Sequence, residues 1–137
     1  NAFGDVRDAS GSIIVGARGP NGFIDACRYL ANGGVPLGSF ARDGVNTTLI
    51  VVATNADTSR LELLSVAEMA ADALGRRVTP AGTQFDGDLV FAVSAGELLP
   101  STKLEVEILA QEATATAIER AVRVANGTGE VPGLGDS

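Results

Sequence analysis

Two hydroxyls and two carboxylates stand out by type and spacing. Thr47 and Thr48 lie in "DGVNTTLIVVATNA", residues 43–56, where a polar turn runs straight into an apolar strand. Asp86 and Asp88 lie in "QFDGDLVF" at i and i+2, a spacing that in an extended chain turns both carboxylates to one face. The sequence has no histidine and one cysteine, Cys27. That removes Ser-His and Cys-His bases, the commonest transition-metal ligand, any internal disulfide and any Cys-rich zinc site. A threonine nucleophile must therefore find its base elsewhere, and the α-amine of an N-terminal threonine, with a reference pKa of about 7.7–8.0, is one. Freeing that amine on Thr47 requires cleavage of the Asn46-Thr47 bond, by attack of the Thr47 hydroxyl on the Asn46 carbonyl. The connector containing Gly44 is where an exposed, strained bond fits. One of Asp86 and Asp88 would then orient the Thr47 hydroxyl or ammonium while the other holds the first in place. Each feature also has a plain reading: threonines suit a strand start, and Asp-Gly-Asp makes a solvated turn. Two carboxylates are a thin set for calcium, and neither a metal nor a cofactor is expected.

The elements that must position these residues follow from pattern. Ser12–Arg18, rich in β-branched residues, reads as a strand after a turn at Asp8–Gly11, and residues 21–34 hold a short helix stopped by Gly33 and Gly34. Residues 35–46 read as an exposed connector. A strand at Thr47–Thr54 leads to a helix over about 60–77, opened by the capping-box spacing of Ser59 and Glu62, with Leu63, Val66, Ala67, Ala70 and Leu74 on its buried face. A second strand, Leu89–Ala95, leads to a helix over about 103–126. Thr102 and Glu105 form its capping box, Gly127 its stop, and Leu104, Ile108, Ala115, Ile118, Val122 and Ala125 its buried stripe. Alanine-rich helices approach a sheet closely, so a layered α/β arrangement is the economical reading. The tail, residues 127–137, is expected to be loose.

Composition sets the class. With 137 residues, 45% hydrophobic and 20% charged, the chain suits one globular domain. Its longest apolar runs fall short of the ~20 residues of a membrane span, and it opens without a basic-then-apolar signal segment. A soluble, cytoplasmic protein without a membrane partner is expected, and the sequons at Asn46 ("NTT") and Asn126 ("NGT") then read as chance matches. The formal net charge is -7 and Arg76-Arg77 is the only adjacent basic pair, which argues against nucleic acid as a partner.

Taken in order, "NAFGDVRDASG", "NTTLIVVATNA" and "FDGDLVFAV" resemble the DmpA-type aminopeptidase and nylon-oligomer hydrolase family of self-processing N-terminal nucleophile hydrolases, over about residues 1–95. The resemblance implies an αββα-type sandwich of the kind shared with ornithine acetyltransferases, only part of it encoded here. It implies division into residues 1–46, the end of an α-chain portion with its processing loop, and residues 47–137, a β-chain portion that stays associated after autocatalytic cleavage. Thr47 takes the nucleophile's place, Asn46-Thr47 the scissile bond, Asp86 and Asp88 the supporting carboxylates, and Asn1 the asparagine whose amide helps bind the oxyanion. Family members carry a long segment, including an active-site lysine, before this asparagine, so the chain is expected to be the carboxyl-terminal part of a larger, homo-oligomeric enzyme. The expected function is hydrolysis of short peptides or small amides through an acyl-enzyme on Thr47. The alternatives are an acyltransferase of the ornithine acetyltransferase type, whose motif is Ala-Thr-Met rather than "NTT", and a catalytically silent assembly domain.

Overall fold

The computed structural model describes residues 2–35, 46–129 and 131–136. Its centre is a parallel pair of strands, β5 (Leu49–Ala56) and β7 (Leu89–Leu99), in register from Leu49↔Leu89 to Thr54↔Ser94. Parallel neighbours need a crossover connection, and α2 (Arg60–Arg77) supplies it. Both expected capping residues are at work. Ser59 Oγ accepts from the Glu62 N–H while the Glu62 carboxylate accepts from the Ser59 N–H at 2.8 Å, closing the capping box of α2. At the start of α3 (Lys103–Arg123), Thr102 Oγ1 accepts from the Glu105 N–H, and only this half of the expected box forms.

Helices α2 and α3 pack on each other and cover one face of the pair. One cluster joins Ala56, Val66, Val106 and Ala110 with Val52 and Ala92; a second joins Val6, Leu74 and Val78 with Ile50, Ile118 and Val122 among others. Small residues line the close approach: Ala70, Ala73, Ala110 and Thr114 are all buried. The expected stripe of α3 holds at Ile118 and Val122, which pack on the second cluster, but is corrected elsewhere: Leu104, Ile108 and Ala125 are exposed, and the fully buried positions are Val106, Ala110, Gln111 and Thr114. Buried Gln111 accepts from Arg76 Nη1 of α2 at 3.1 Å, a polar bond that apolar patterning does not foresee.

A smaller antiparallel sheet, order β2-β1-β6, is built from β1 (Asp5–Arg7), β2 (Ile13–Val15) and β6 (Val78–Thr79). The expected strand over 12–18 is thus β2 followed by a separate hairpin of β3 (Arg18–Gly19) and β4 (Gly22–Phe23). The expected short helix is α1 (Ala26–Ala31), closed by N–H bonds from Gly33 and Gly34 to Leu30 and Tyr29. Buried Asp5 ties this region together, its carboxylate accepting from the Ala17 and Ala26 N–H groups at 3.0 and 2.6 Å. The tail is also corrected. Instead of lying loose, it returns through a 3-10 turn at Leu134–Asp136, and the Asp136 carboxylate accepts from the Gly127 and Gly133 N–H groups. Those bonds, with Gly135 N–H to the Ala125 carbonyl, explain why α3 ends at Arg123 and not near Asn126.

The expected mixed α/β class is met. Of the αββα layers, the described residues form one helix layer on one sheet layer, beside the small antiparallel sheet. The portions before and after residue 46 are interleaved, since β1 pairs with β6 and Val6 shares a cluster with Leu74 and Val78. No helix among the described residues is long and apolar enough to cross a membrane.

Candidate active site

Thr47 and the two aspartates meet where β5 and β7 begin. The parallel ladder is prolonged beyond the strands by a bridge between Asn46 and Asp86. Asn46 N–H donates to the Phe85 carbonyl at 3.3 Å, Gly87 N–H to the Asn46 carbonyl at 2.8 Å, and Leu89 N–H to the Thr48 carbonyl at 3.0 Å. The Asn46-Thr47 peptide is thereby laced to the segment that carries both carboxylates. Asn46 is fully buried, Thr47 half-buried and Gly87 exposed, so the bond lies at the rim of the core with one side toward water. Burial of Asn46 also takes its sequon out of reach of any glycosylating enzyme in the folded chain.

The Thr47 hydroxyl donates to the carbonyl oxygen of Asn46 at 2.7 Å. The candidate nucleophile thus sits against the carbonyl of the bond expected to break. Asp88 reaches across the ladder, one oxygen accepting from the Thr48 N–H at 2.7 Å and the other from the Gly82 N–H at 3.2 Å. Asp86 turns back into its own loop, where one oxygen accepts from the N–H and hydroxyl of Thr83 at 3.0 and 2.7 Å. Its other oxygen accepts from the Phe3 N–H at 3.4 Å. Asp88 thus bonds to the backbone next to the nucleophile, while Asp86 holds its own loop and the Phe3 segment, a bracing that spacing alone does not distinguish from direct contact with the hydroxyl.

Asn1 lies outside the described residues. The segment that follows it is placed at the site, since the Phe3 ring packs on Phe85 at 5.4 Å between centroids. Sequence reasoning missed Thr83 and Gly82 as anchors and Gly87 as a donor. The signal for Gly87 was present, because a glycine between two carboxylates marks a place where another backbone can come close. Of the expected connector at 35–46, residues 36–45, Gly44 among them, lie outside the described residues, while Asn46 at its end is corrected from exposed to buried, because its backbone joins the ladder with Phe85 and Gly87. Among the described residues no group of three or more His, Cys, Asp or Glu side chains is gathered to hold a metal ion.

Comparison with known proteins places this sequence in a family. The sequence model of peptidase family S58 matches residues 11–130, most of the chain and all of the described site except its first residues. The chain belongs to peptidase family S58. This bears out the DmpA-type resemblance read from the three sequence stretches. The chain is also similar to an uncharacterized aminopeptidase of Mycobacterium leprae (strain TN), 41% identical over 64 residues, or 47% of this chain and 18% of the relative. Uncharacterized aminopeptidases of Mycobacterium bovis and Mycobacterium tuberculosis are 43% identical over 61 residues, which is 44% of this chain and 17% of each relative. The matched part of the chain thus spans less than a fifth of the length of these curated relatives.

Proposed function

We propose that this S58 chain carries the nucleophile of a self-processing amide hydrolase of the aminopeptidase type, with Thr47 as that nucleophile. The observation that carries the reading is the 2.7 Å contact between the Thr47 hydroxyl and the Asn46 carbonyl oxygen, on a ladder braced by Asp86 and Asp88. In the processing step the Thr47 oxygen attacks the Asn46 carbonyl carbon. The C–N bond breaks with the hydroxyl proton passing to the Thr47 nitrogen, and water hydrolyses the resulting ester. Thr47 then owns both a hydroxyl and an α-amine, and the neutral amine serves as its base for attack on a substrate carbonyl. Water releases the acyl group from Thr47. Asn1 contributes its amide to the oxyanion hole, and the substrates are short peptides or small amides with a free amino end. The interleaving of β1 with β6 supports the two portions staying together after cleavage. The remaining part of a longer, homo-oligomeric enzyme completes the pocket, consistent with the short share of the relatives matched here.

The test is the mass of the complete protein after purification. A separate chain beginning at Thr47 is expected, and active protein with Asn46 still joined to Thr47 would overturn the mechanism. Activity should also rise with pH through about 7.7–8.0, where the α-amine loses its proton, and should survive EDTA. A pH-rate profile flat from pH 5 upward would exclude the amine as base.

A further inference from the structure

The geometry points to Gly87 as a built-in oxyanion donor for the cutting of the Asn46-Thr47 bond, an inference that rests on the self-processing reading. Two donors converge on one carbonyl oxygen: the Gly87 N–H at 2.8 Å and the Thr47 hydroxyl at 2.7 Å, both to Asn46 O. When the Thr47 oxygen bonds to the Asn46 carbon, the carbonyl π pair moves onto that oxygen. Only a donor already aimed there stabilises the charge without reorganising. The hydroxyl cannot fill that role in the attack, because it gives up its proton to the departing nitrogen. Gly87 can.

Ladder pairing alone does not account for the glycine. Two residues along the same ladder Leu89 N–H donates to the Thr48 carbonyl at 3.0 Å while carrying a full side chain. Nor does backbone conformation, since Gly87 is absent from the glycines with positive φ. What singles out position 87 is space. A Cβ there would lie 3.1 Å from Thr47 Oγ1 and 3.7 Å from the Asn46 carbonyl oxygen, so any side chain would push on the nucleophile. The donor is also held from both sides, by Asp86 through Thr83 and Phe3 and by Asp88 through Thr48 and Gly82. The two carboxylates thus act as positioning residues for the N–H between them.

The experiment follows fragment release by intact mass in the complete protein, as made and over time. Glycolic acid in place of Gly87 replaces the N–H by an ester oxygen and adds no atoms. It should slow cleavage by on the order of 10²-fold, the loss seen when one oxyanion donor is removed. The matched control is the α-hydroxy analogue of leucine at position 89, which deletes the Leu89 donor of the same ladder and should slow cleavage by no more than a few-fold. Gly87→Ala should also slow cleavage, and by less when combined with Thr47→Ser, because serine has no γ-methyl to hold its hydroxyl against the new Cβ. Melting temperatures measured on the uncut Thr47→Ala background separate folding from chemistry. Equal rates for the esters at 87 and 89 would overturn the role of Gly87. If the otherwise unaltered protein does not cut, or Thr47→Ala does, the self-processing reading itself fails; normal cutting by that protein with unimpaired Gly87 variants removes Gly87 alone.

Discussion

Adjacent threonines end in different surroundings, and that difference can be measured. The Thr47 hydroxyl lies on the Asn46 carbonyl, whereas Thr48 Oγ1 is buried with no hydrogen-bond partner among the described residues. Thr47→Ala should therefore abolish cleavage and hydrolysis, and Thr47→Ser should keep part of both. Thr48→Val exchanges an unsatisfied buried hydroxyl for a methyl of the same shape, which is neutral or stabilising when no bond is lost. Its melting temperature should hold or rise, with cleavage intact; equal losses at 47 and 48 would mean that both threonines serve the strand. The aspartates are tested in the same way. In Asp86→Asn one amide NH2 must face a donor, either the Phe3 N–H or the Thr83 pair, and in Asp88→Asn either the Thr48 or the Gly82 N–H. Each variant should cut and turn over on the order of 10²-fold more slowly, the scale of losing a positioned catalytic group. Because all but the Thr83 hydroxyl bond are to backbone, a lower melting temperature should accompany the loss, most of all at Asp86. Unchanged rates in both variants would return "DGD" to an ordinary turn.

Secondary structure was most legible where chemistry is local. The Ser59–Glu62 box marked the start of α2, and the Thr47–Thr54 and Leu89–Ala95 patterns located β5 and β7 within a few residues. Long-range partners were not legible. Nothing in the apolar period of α3 says that Gln111 will be buried against Arg76, or that Asp136 will return to claim the Gly127 N–H and end the helix early. The site divides along the same line: the types and spacing of Thr47, Asp86 and Asp88 were readable, but their bracing through Thr83, Gly82 and Phe3 depends on tertiary contacts. The local motif also carries a pH signature. The Glu62 carboxyl is held below the usual glutamate range first by the Ser59 N–H and then by the Ser59 hydroxyl. A lowered folded value means stability that is present in full above about pH 4.3 and lost as the pH falls through the folded value. Glu62→Gln should accordingly be less stable in urea at pH 7, with the gap closing as the pH falls through the lowered folded value. A gap that stays constant with pH would show that the charge of Glu62 contributes nothing.

At the scale of the whole molecule, the sheet formed by the described residues is open where parallel sheets are ordinarily closed. Purely parallel strands occur almost only with both faces covered, and they read as continuous apolar runs for that reason. Here the helices cover the face of Ile50, Val52 and Ala92. The other face presents Leu49, Val51, Leu89, Phe91 and Val93, which are 43–69% exposed and set side by side by the register Leu49↔Leu89, Val51↔Phe91, Ala53↔Val93. Among the described residues the sheet has two strands, each with a free edge, and unprotected edges and contiguous apolar patches both promote association. The 137-residue chain on its own should therefore sediment as concentration-dependent species larger than a monomer. The double variant Val51→Lys/Phe91→Lys should move it toward the monomer. Val51 and Phe91 are 67% and 52% exposed, so these lysines can reach water and the melting temperature should change little. The inward-facing change Val66→Ala, at a side chain with no exposure, should instead cost about 1–3 kcal/mol by leaving a cavity between the helices and the sheet, with no effect on association. A monomer at every concentration, or lysines at 51 and 91 that unfold the chain as Val66→Ala weakens it, would mean that this face is closed over in the free chain.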